Sequence, residues 1–447
     1  MIVAPCKLHY KNHSMKKIIF TFLIIPFLSF SQHNISGTFS PAKDYTYAFL
    51  YEATPDGANY VERAKLDSLG NFSLALDANA NPGIYKIVYA IPPEENNFDL
   101  VYNGKENVTF IFSLDDGENF TASSENKLWG SYLNSMDIVN QTISNFYTKG
   151  GKDKDAFYSI FRTLKETQAS YEDLAKGKLV EAFIKANKPY TPEAYEDLST
   201  YSKNLKANFF KNIDFNDPFL QSSSLITDRI SGFIFVMSAA TDNDTYKKHI
   251  DIVASAIKST DTKIQSPLLE LLWQEFKRRE NHDMANYISK NYLLAIAKST
   301  ENKILEQQLL SYKNTSVGAV APDFEIQTQP SLKLSELKGD KYYVLIFWSS
   351  GCGHCLKELP KVKDLMTTVS NTKVIAYGLE NDATDWTNEI KNYPDFVHGI
   401  GLGKWENPLV QTFAIAATPT YFVLDASKKI IDKPYDFEGL ETFFGEK

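Results

Sequence analysis

From residue 33 to about residue 120, apolar positions come in short bursts. Segments 45–51, 71–76, 84–90 and 108–112 are brief and rich in aromatic or β-branched residues, as half-buried strands are. Turn formers separate them: Pro55-Asp56-Gly57, Leu69-Gly70-Asn71, Asn81-Pro82-Gly83, Asn103-Gly104 and Asp116-Gly117. Strands at this spacing predict a small antiparallel β-sandwich over residues 33–120. No His, Asp or Glu cluster in it has metal-ligand spacing.

From about 124 to 312 the apolar period changes to that of helices. Ser266-Pro267 reads as a helix start, followed at helical spacing by Leu268, Leu272 and Phe276 and closed by Lys277-Arg278-Arg279, which suit the C-terminal dipole. Thr191-Pro192-Glu193 reads as another start. Ile304, Leu305 and Leu309 mark an apolar stripe, and such stripes are expected to be core. No clear repeat appears. His249 and His282 are isolated and read as surface residues rather than ligands.

Residues 313–322, with Gly318 and Pro322, read as a linker. Beyond it strand and helix patterns alternate: a continuous apolar strand at 343–348, a helix from 352 to about 369, a buried strand at 374–379, a helix at 383–391, and a hairpin of 421–424 with 429–431. Strands joined by helical crossovers predict a partly parallel sheet covered on both faces. The expected organisation is therefore an all-β sandwich, an all-α region over 124–312 and an α/β domain over 317–447. A length of 447 residues suits two to four domains at roughly 100–200 residues each.

A formal net charge of −8 argues against nucleic-acid binding, which needs a basic face. Lys16-Lys17 precede an apolar run to Phe30, with small residues before Gln32. That is the pattern of a secretory signal over residues 1–31, with translation starting at Met15. The run falls short of the about 20 apolar residues a membrane span needs, and an uncleaved anchor is the alternative. The expected location is the periplasm or cell envelope. The chain holds three cysteines, Cys6, Cys352 and Cys355. Cys6 would leave with the signal, so the exported protein would keep one C-x-x-C pair. Two intervening residues make a very short loop for a structural staple, so the pair is there for reactivity.

That pair sits in Phe347-Trp348-Ser349-Ser350-Gly351-Cys352-Gly353-His354-Cys355, where a buried strand gives way to a helix. Free N–H groups and the helix dipole favour negative charge there, so a thiol ionises more readily. Cys352 is the expected nucleophile, and Cys355, one turn on, the resolving thiol. His354 between them is expected to tune the couple. No bound cofactor is needed, since the cysteines carry the electrons.

This constellation resembles the thioredoxin superfamily, and within it the periplasmic TlpA/ResA-like branch that reduces substrate disulfides. The resemblance covers roughly residues 317–447. It rests on Ala321-Pro322-Asp323-Phe324, Leu334 to Gly339, Phe347-Trp348, the redox pair, Pro360, and Ala417-Thr418-Pro419-Thr420-Tyr421-Phe422-Val423-Leu424-Asp425. It implies a cis Pro419 facing the redox pair, Thr418 backbone groups free for an extended substrate, and substrate contacts at Trp348, Gly351 and Thr418. Two departures stand out. Gly351 replaces the usual Trp before the nucleophile, and Ile346 replaces the buried Asp of cytoplasmic thioredoxins. Glu380, after the second buried strand, is then a candidate acceptor for the resolving thiol's proton; the alternative is a surface acid at a helix start.

Other readings of the pair fit less well. Haem attachment needs His where Leu356 stands, a zinc site needs two more ligands, and a peroxiredoxin needs Pro and Thr where Leu345 and Ser349 stand. A copper-carrier dithiol does not explain Trp348, Pro360 and Thr418-Pro419 together. The expected activity is dithiol–disulfide exchange with envelope proteins, as a reductase fed by a membrane electron donor. The alternatives are an oxidase or isomerase, which His354 favours, and a non-catalytic assembly protein.

Overall fold

A computed structural model describes residues 33–237, 241–328 and 330–445. The expected targeting segment, with Cys6 and Met15, lies outside the described residues. By packing, the described chain falls into two compact units. One holds the residues up to Glu52 plus Tyr60–Gly130; the other holds Ala53–Asn59 and the residues from Ser131 onward.

Eight strands make up the N-terminal part: β1 (Asn34–Ser40), β2 (Tyr47–Thr54), β3 (Gly57–Lys65), β4 (Asn71–Ala75), β5 (Gly83–Val88), β6 (Asn97–Tyr102), β7 (Val108–Ser113) and β8 (Gly117–Ala122). They form two four-stranded sheets, ordered β4-β1-β7-β8 and β3-β2-β5-β6. Alternate residues from both sheets, among them Ile35, Phe39, Leu50, Leu74, Ile87, Leu100 and Phe110, build one aromatic-rich core. The sandwich is not purely antiparallel as expected: β1 and β7 run parallel. A parallel neighbour needs a crossover, and the whole stretch β2–β6 serves as one. Gly70 turns the chain into β4 at φ +84, and a Cβ there would lie 2.2 Å from the Phe39 carbonyl oxygen. Only glycine fits so close an approach.

Helices then run from Ser124–Thr148 to Lys303–Thr315. Several expectations fail here. The helix carrying Leu268, Leu272 and Phe276 spans Thr262–Arg278, capped by Asp261, so Pro267 lies inside it. Thr191-Pro192-Glu193 is not helical; the next helix is Leu198–Ala207, capped by Asp197. There the Tyr195 hydroxyl donates to the Gly151 carbonyl and its ring packs on Phe157, tying the irregular segment to the preceding helices. His249 is buried, at 4% exposure, against Phe233. His282 is half-buried, with Nδ1 bonded to the Tyr312 hydroxyl. In the final stripe Leu305 and Leu309 are core, but Ile304 points outward.

The expected linker is partly structured. The helix Lys303–Thr315 runs into it, and Val320 bridges to Lys429. Short strands β9 (Glu325–Thr328) and β10 (Ser331–Lys333) follow. The main sheet comprises β11 (Tyr342–Trp348), β12 (Thr372–Glu380), β13 (Val397–Leu402), β14 (Thr420–Asp425) and β15 (Ile430–Asp432), in the order β13-β12-β11-β14-β15. β11, β12 and β13 are parallel neighbours; β14 and β15 are antiparallel. Central β11 is buried on both faces, which explains its unbroken apolar run. Tyr343, Leu345 and Phe347 meet Phe324 and Phe413 on one face. Val344, Ile346 and Trp348 meet Cys355, Leu359, Val362 and Leu440 on the other.

Candidate redox site

The parallel strand β11 delivers the chain to its C-terminal edge, where a turn over residues 349–354 leads into the helix Cys355–Met366. The turn is tied down from two sides. Glu380, the last residue of β12, accepts from the Ser349 hydroxyl at 3.2 Å and from the Ser350 backbone N–H. The Ser349 carbonyl then accepts from the Cys352 N–H at 3.0 Å. Glu380 is buried, so it is not a surface acid. Its visible task is to hold the loop that presents Cys352.

The helix was expected from Cys352 and begins at Cys355, with His354 at the N-cap position and making no side-chain cap bond; Cys352, two residues earlier, makes the cap-like contacts with its first turn. The Cys352 carbonyl accepts from the Leu356 N–H at 3.1 Å, and Cys352 Sγ lies 3.2 Å from the Cys355 N–H. A side-chain acceptor facing an orphan N–H of the first turn is the cap arrangement, and it stabilises negative charge on that atom. Cys352 is partly exposed, whereas Cys355 is fully buried. The two are joined as a disulfide, with Cα atoms 5.3 Å apart. Access therefore selects Cys352 as the sulfur a partner can reach.

Across the turn, the Thr418–Pro419 peptide is cis. The Thr418 carbonyl oxygen lies 3.2 Å from Cys352 Sγ, within reach of the thiol when the pair is reduced. Gly351 is exposed, and a Cβ there would make only an ordinary contact, 3.9 Å from Ser349 Oγ. Trp348, expected to touch substrate, is wholly buried beneath the site among Cys355 and Leu359. Its place in the period-two alternation of β11 turns it into the core.

His354 is exposed, and its Nε2 lies 3.0 Å from Glu358 Oε1. Its partner is thus a carboxylate one turn along. Glu358, absent from the candidates read in the sequence, is buried at 6% exposure. Its other oxygen accepts from the Tyr421 hydroxyl at 2.7 Å. Burial, followed by the adjacent Glu358 carboxylate, pushes the Tyr421 phenol above its ordinary range. Two signals could have pointed to Glu358. It stands at i+4 from His354 and i+3 from Cys355, so all three share a helix face. Among the described residues no group of three or more His, Cys, Asp and Glu is placed to hold a metal ion.

Residues 317–433 match the AhpC/TSA family. They form a thioredoxin-like domain of that family. Among curated relatives, the thiol-disulfide oxidoreductase ResA of Bacillus cereus is 29% identical over 121 residues, covering 26% of this chain and 68% of the relative. ResA of Bacillus anthracis is 27% identical over 122 residues, covering 26% and 68%. Among solved structures, a domain of a possible thiol-disulfide isomerase from Cytophaga hutchinsonii is 30% identical, covering 29% of this chain and 91% of that one, with a TM-score of 0.26. A thioredoxin-like protein from Bacteroides caccae is 14% identical, covering 58% and 97%, with a TM-score of 0.31. With its partly exposed Cys352 backed by a buried partner, the thioredoxin-like domain is a thiol–disulfide oxidoreductase.

Proposed function

We propose that the protein is an exported reductase that cleaves disulfides in envelope proteins. The reading is carried by Cys352, an accessible sulfur at a helix cap with buried Cys355 one turn behind it. The Cys352 thiolate attacks a substrate disulfide and releases one substrate thiolate, which takes up a proton. Cys355 then loses its proton and attacks Cys352 Sγ, releasing the second substrate thiolate, which takes up a proton, and closing the Cys352–Cys355 disulfide. Glu380 is the candidate acceptor for that proton, with Glu358 a second buried carboxylate at the site. Re-reduction calls for a dithiol donor, which for an exported protein is reached through the membrane. Export is supported by the basic-then-apolar segment ahead of Gln32. No helix among the described residues is long and apolar enough to cross a membrane.

Electrostatics favour the reducing direction. A thiolate stabilised by an unopposed cation makes a couple oxidising. Here His354 is engaged by Glu358, and two buried carboxylates flank the active-site turn and helix. Negative charge close by disfavours the thiolate and lowers the potential. The measurement is twofold. Cys355→Ala should accumulate mixed disulfides on Cys352, and the Cys352/Cys355 couple should lie below about −270 mV. A potential near about −200 mV would sink the reductase direction. Absence of any Cys352-linked partner would sink exchange with proteins altogether.

A further inference from the structure

A cavity of about 830 Å³ lies between the helices of the middle region and the thioredoxin-like domain, away from the redox pair in its lining. Lys277, Lys303 and Lys433 line it, and no Asp or Glu does. In a chain of net charge −8, that is an unusual wall.

The three lysines differ in what they already hold. Lys303 is paired with Glu306 at 3.0 Å. Lys277 reaches only the Gln274 side-chain oxygen, at 3.1 Å, and stands over the faces of Trp273 at 4.2 Å and Tyr312 at 5.2 Å. The Lys433 ammonium lies 5.2 Å from the centre of the Phe422 ring. Aromatic faces thus hold both cations where carboxylates would ordinarily do so. Partial burial holds Lys277 below its ordinary range; Lys433, though exposed at the surface, is lowered too, by the protein packed around it and then by the charge of Lys277. The two ammonium groups feel one another. Trp273, which lines the space, has its indole Nε1 buried and without an acceptor.

Like charges that line one space with no carboxylate among them repel one another until an anion enters. We propose that this cavity is a binding site for a small organic dicarboxylate, its carboxylates taken by Lys277 and Lys433. The cavity is large enough for a ligand of several carbon atoms. Apolar surface for its body comes from Ile304, Tyr312 and Ala414. Gln411 and Ala414 belong to the segment that leads to Thr418, so an occupant touches the stretch of chain that ends beside Cys352.

The probe is succinate, titrated calorimetrically into the full chain at constant ionic strength, with sodium chloride as the control. Saturable binding by the wild type, weakened at least tenfold in Lys433→Met and lost in K277M/K433M, is the expected result. Lys298→Met, on a separate exposed surface, should bind as the wild type does. Thermal melts guard against misfolding: succinate should raise the wild-type midpoint with concentration and leave that of a cooperatively melting K277M/K433M unchanged. No saturable binding by the wild type, or equal binding by K277M/K433M, overturns the proposal.

Discussion

Glu358 shows how one buried carboxylate does two jobs. One oxygen meets His354 at the surface, and the other accepts from Tyr421 in the core. Removing the side chain with Glu358→Ala leaves a phenol only 1% exposed without its acceptor. A buried donor without its partner costs about 1–3 kcal/mol, so Glu358→Ala should lower urea stability by that amount. Glu358→Gln keeps an acceptor for Tyr421 and should lose less than half as much. Its effect should fall on the redox couple instead. Loss of a negative charge one turn from Cys355 eases thiolate formation, and the potential should rise by about 30 mV, tenfold in the exchange constant. Equal destabilisation by both variants would show that the hydrogen bond is not what Glu358 supplies. The pair was hard to see in the sequence because Tyr421 lies 63 residues further along. The juxtaposition of Cys352, Cys355 and His354 was legible because it is local, resting on spacing at a strand–helix junction. Trp348 was misread for the opposite reason: its neighbours suggested a role, and the strand's pleat turned it inward.

At the scale of elements, patterning was legible wherever burial is one-sided or complete. Segments 45–51, 71–76, 84–90 and 108–112 fall largely in β2, β4, β5 and β7 because each puts alternate side chains into one core. β3 escaped because nearly all its residues are exposed, so no period is written into it. Thr191-Pro192-Glu193 misled because an aromatic contact and a hydrogen bond to one distant carbonyl, both made by Tyr195, override a local helix start. His249, on the helix Asn243–Ile257, was misjudged because one polar residue on an apolar stripe carries no mark of its depth. Its burial has a consequence in pH. Burial, mainly, holds its imidazole below the ordinary value of 6.5, with Lys206 adding to the effect. The unfolded chain then takes up the proton more readily than the folded one. Stability is therefore complete above the ordinary value and declines as pH falls below it. His282 and His398 act in the same direction. Urea midpoints measured at about pH 7.5 and about pH 5.5 should drop for the wild type, and by less for His249→Phe. An identical drop in both would mean that His249 is protonated as easily in the core as in water.

At the scale of the whole molecule, segment 317–321 does more than link helices to sheet. The Gly318 N–H donates to the Ile430 carbonyl at 2.8 Å, the Ile430 N–H to the Ala319 carbonyl at 2.7 Å, and the Ala321 N–H to the Lys428 carbonyl at 2.9 Å. The segment thus covers the outer edge of β15, which would otherwise offer unpaired backbone groups to another chain. Ala321 is itself buried, in the core that contains Phe347 and Phe413. A composition rule calls such a Gly- and Pro-bearing stretch a linker, because backbone pairing leaves no trace in side-chain type. Two fragments separate the readings, one beginning at Val317 and the other at Pro322, both ending at Gly445. At a net ~0.5–1.5 kcal/mol per hydrogen bond, the shorter fragment should be less stable by about 2–4 kcal/mol in urea. Its uncovered β15 edge should also make it associate as concentration rises, while the longer fragment stays monomeric on a sizing column. Both should keep the Cys352–Cys355 exchange chemistry, since the cap, the cis peptide and Glu380 lie wholly within 322–445. Equal stability and equal solubility of the two fragments would return 317–321 to the status of a passive tether.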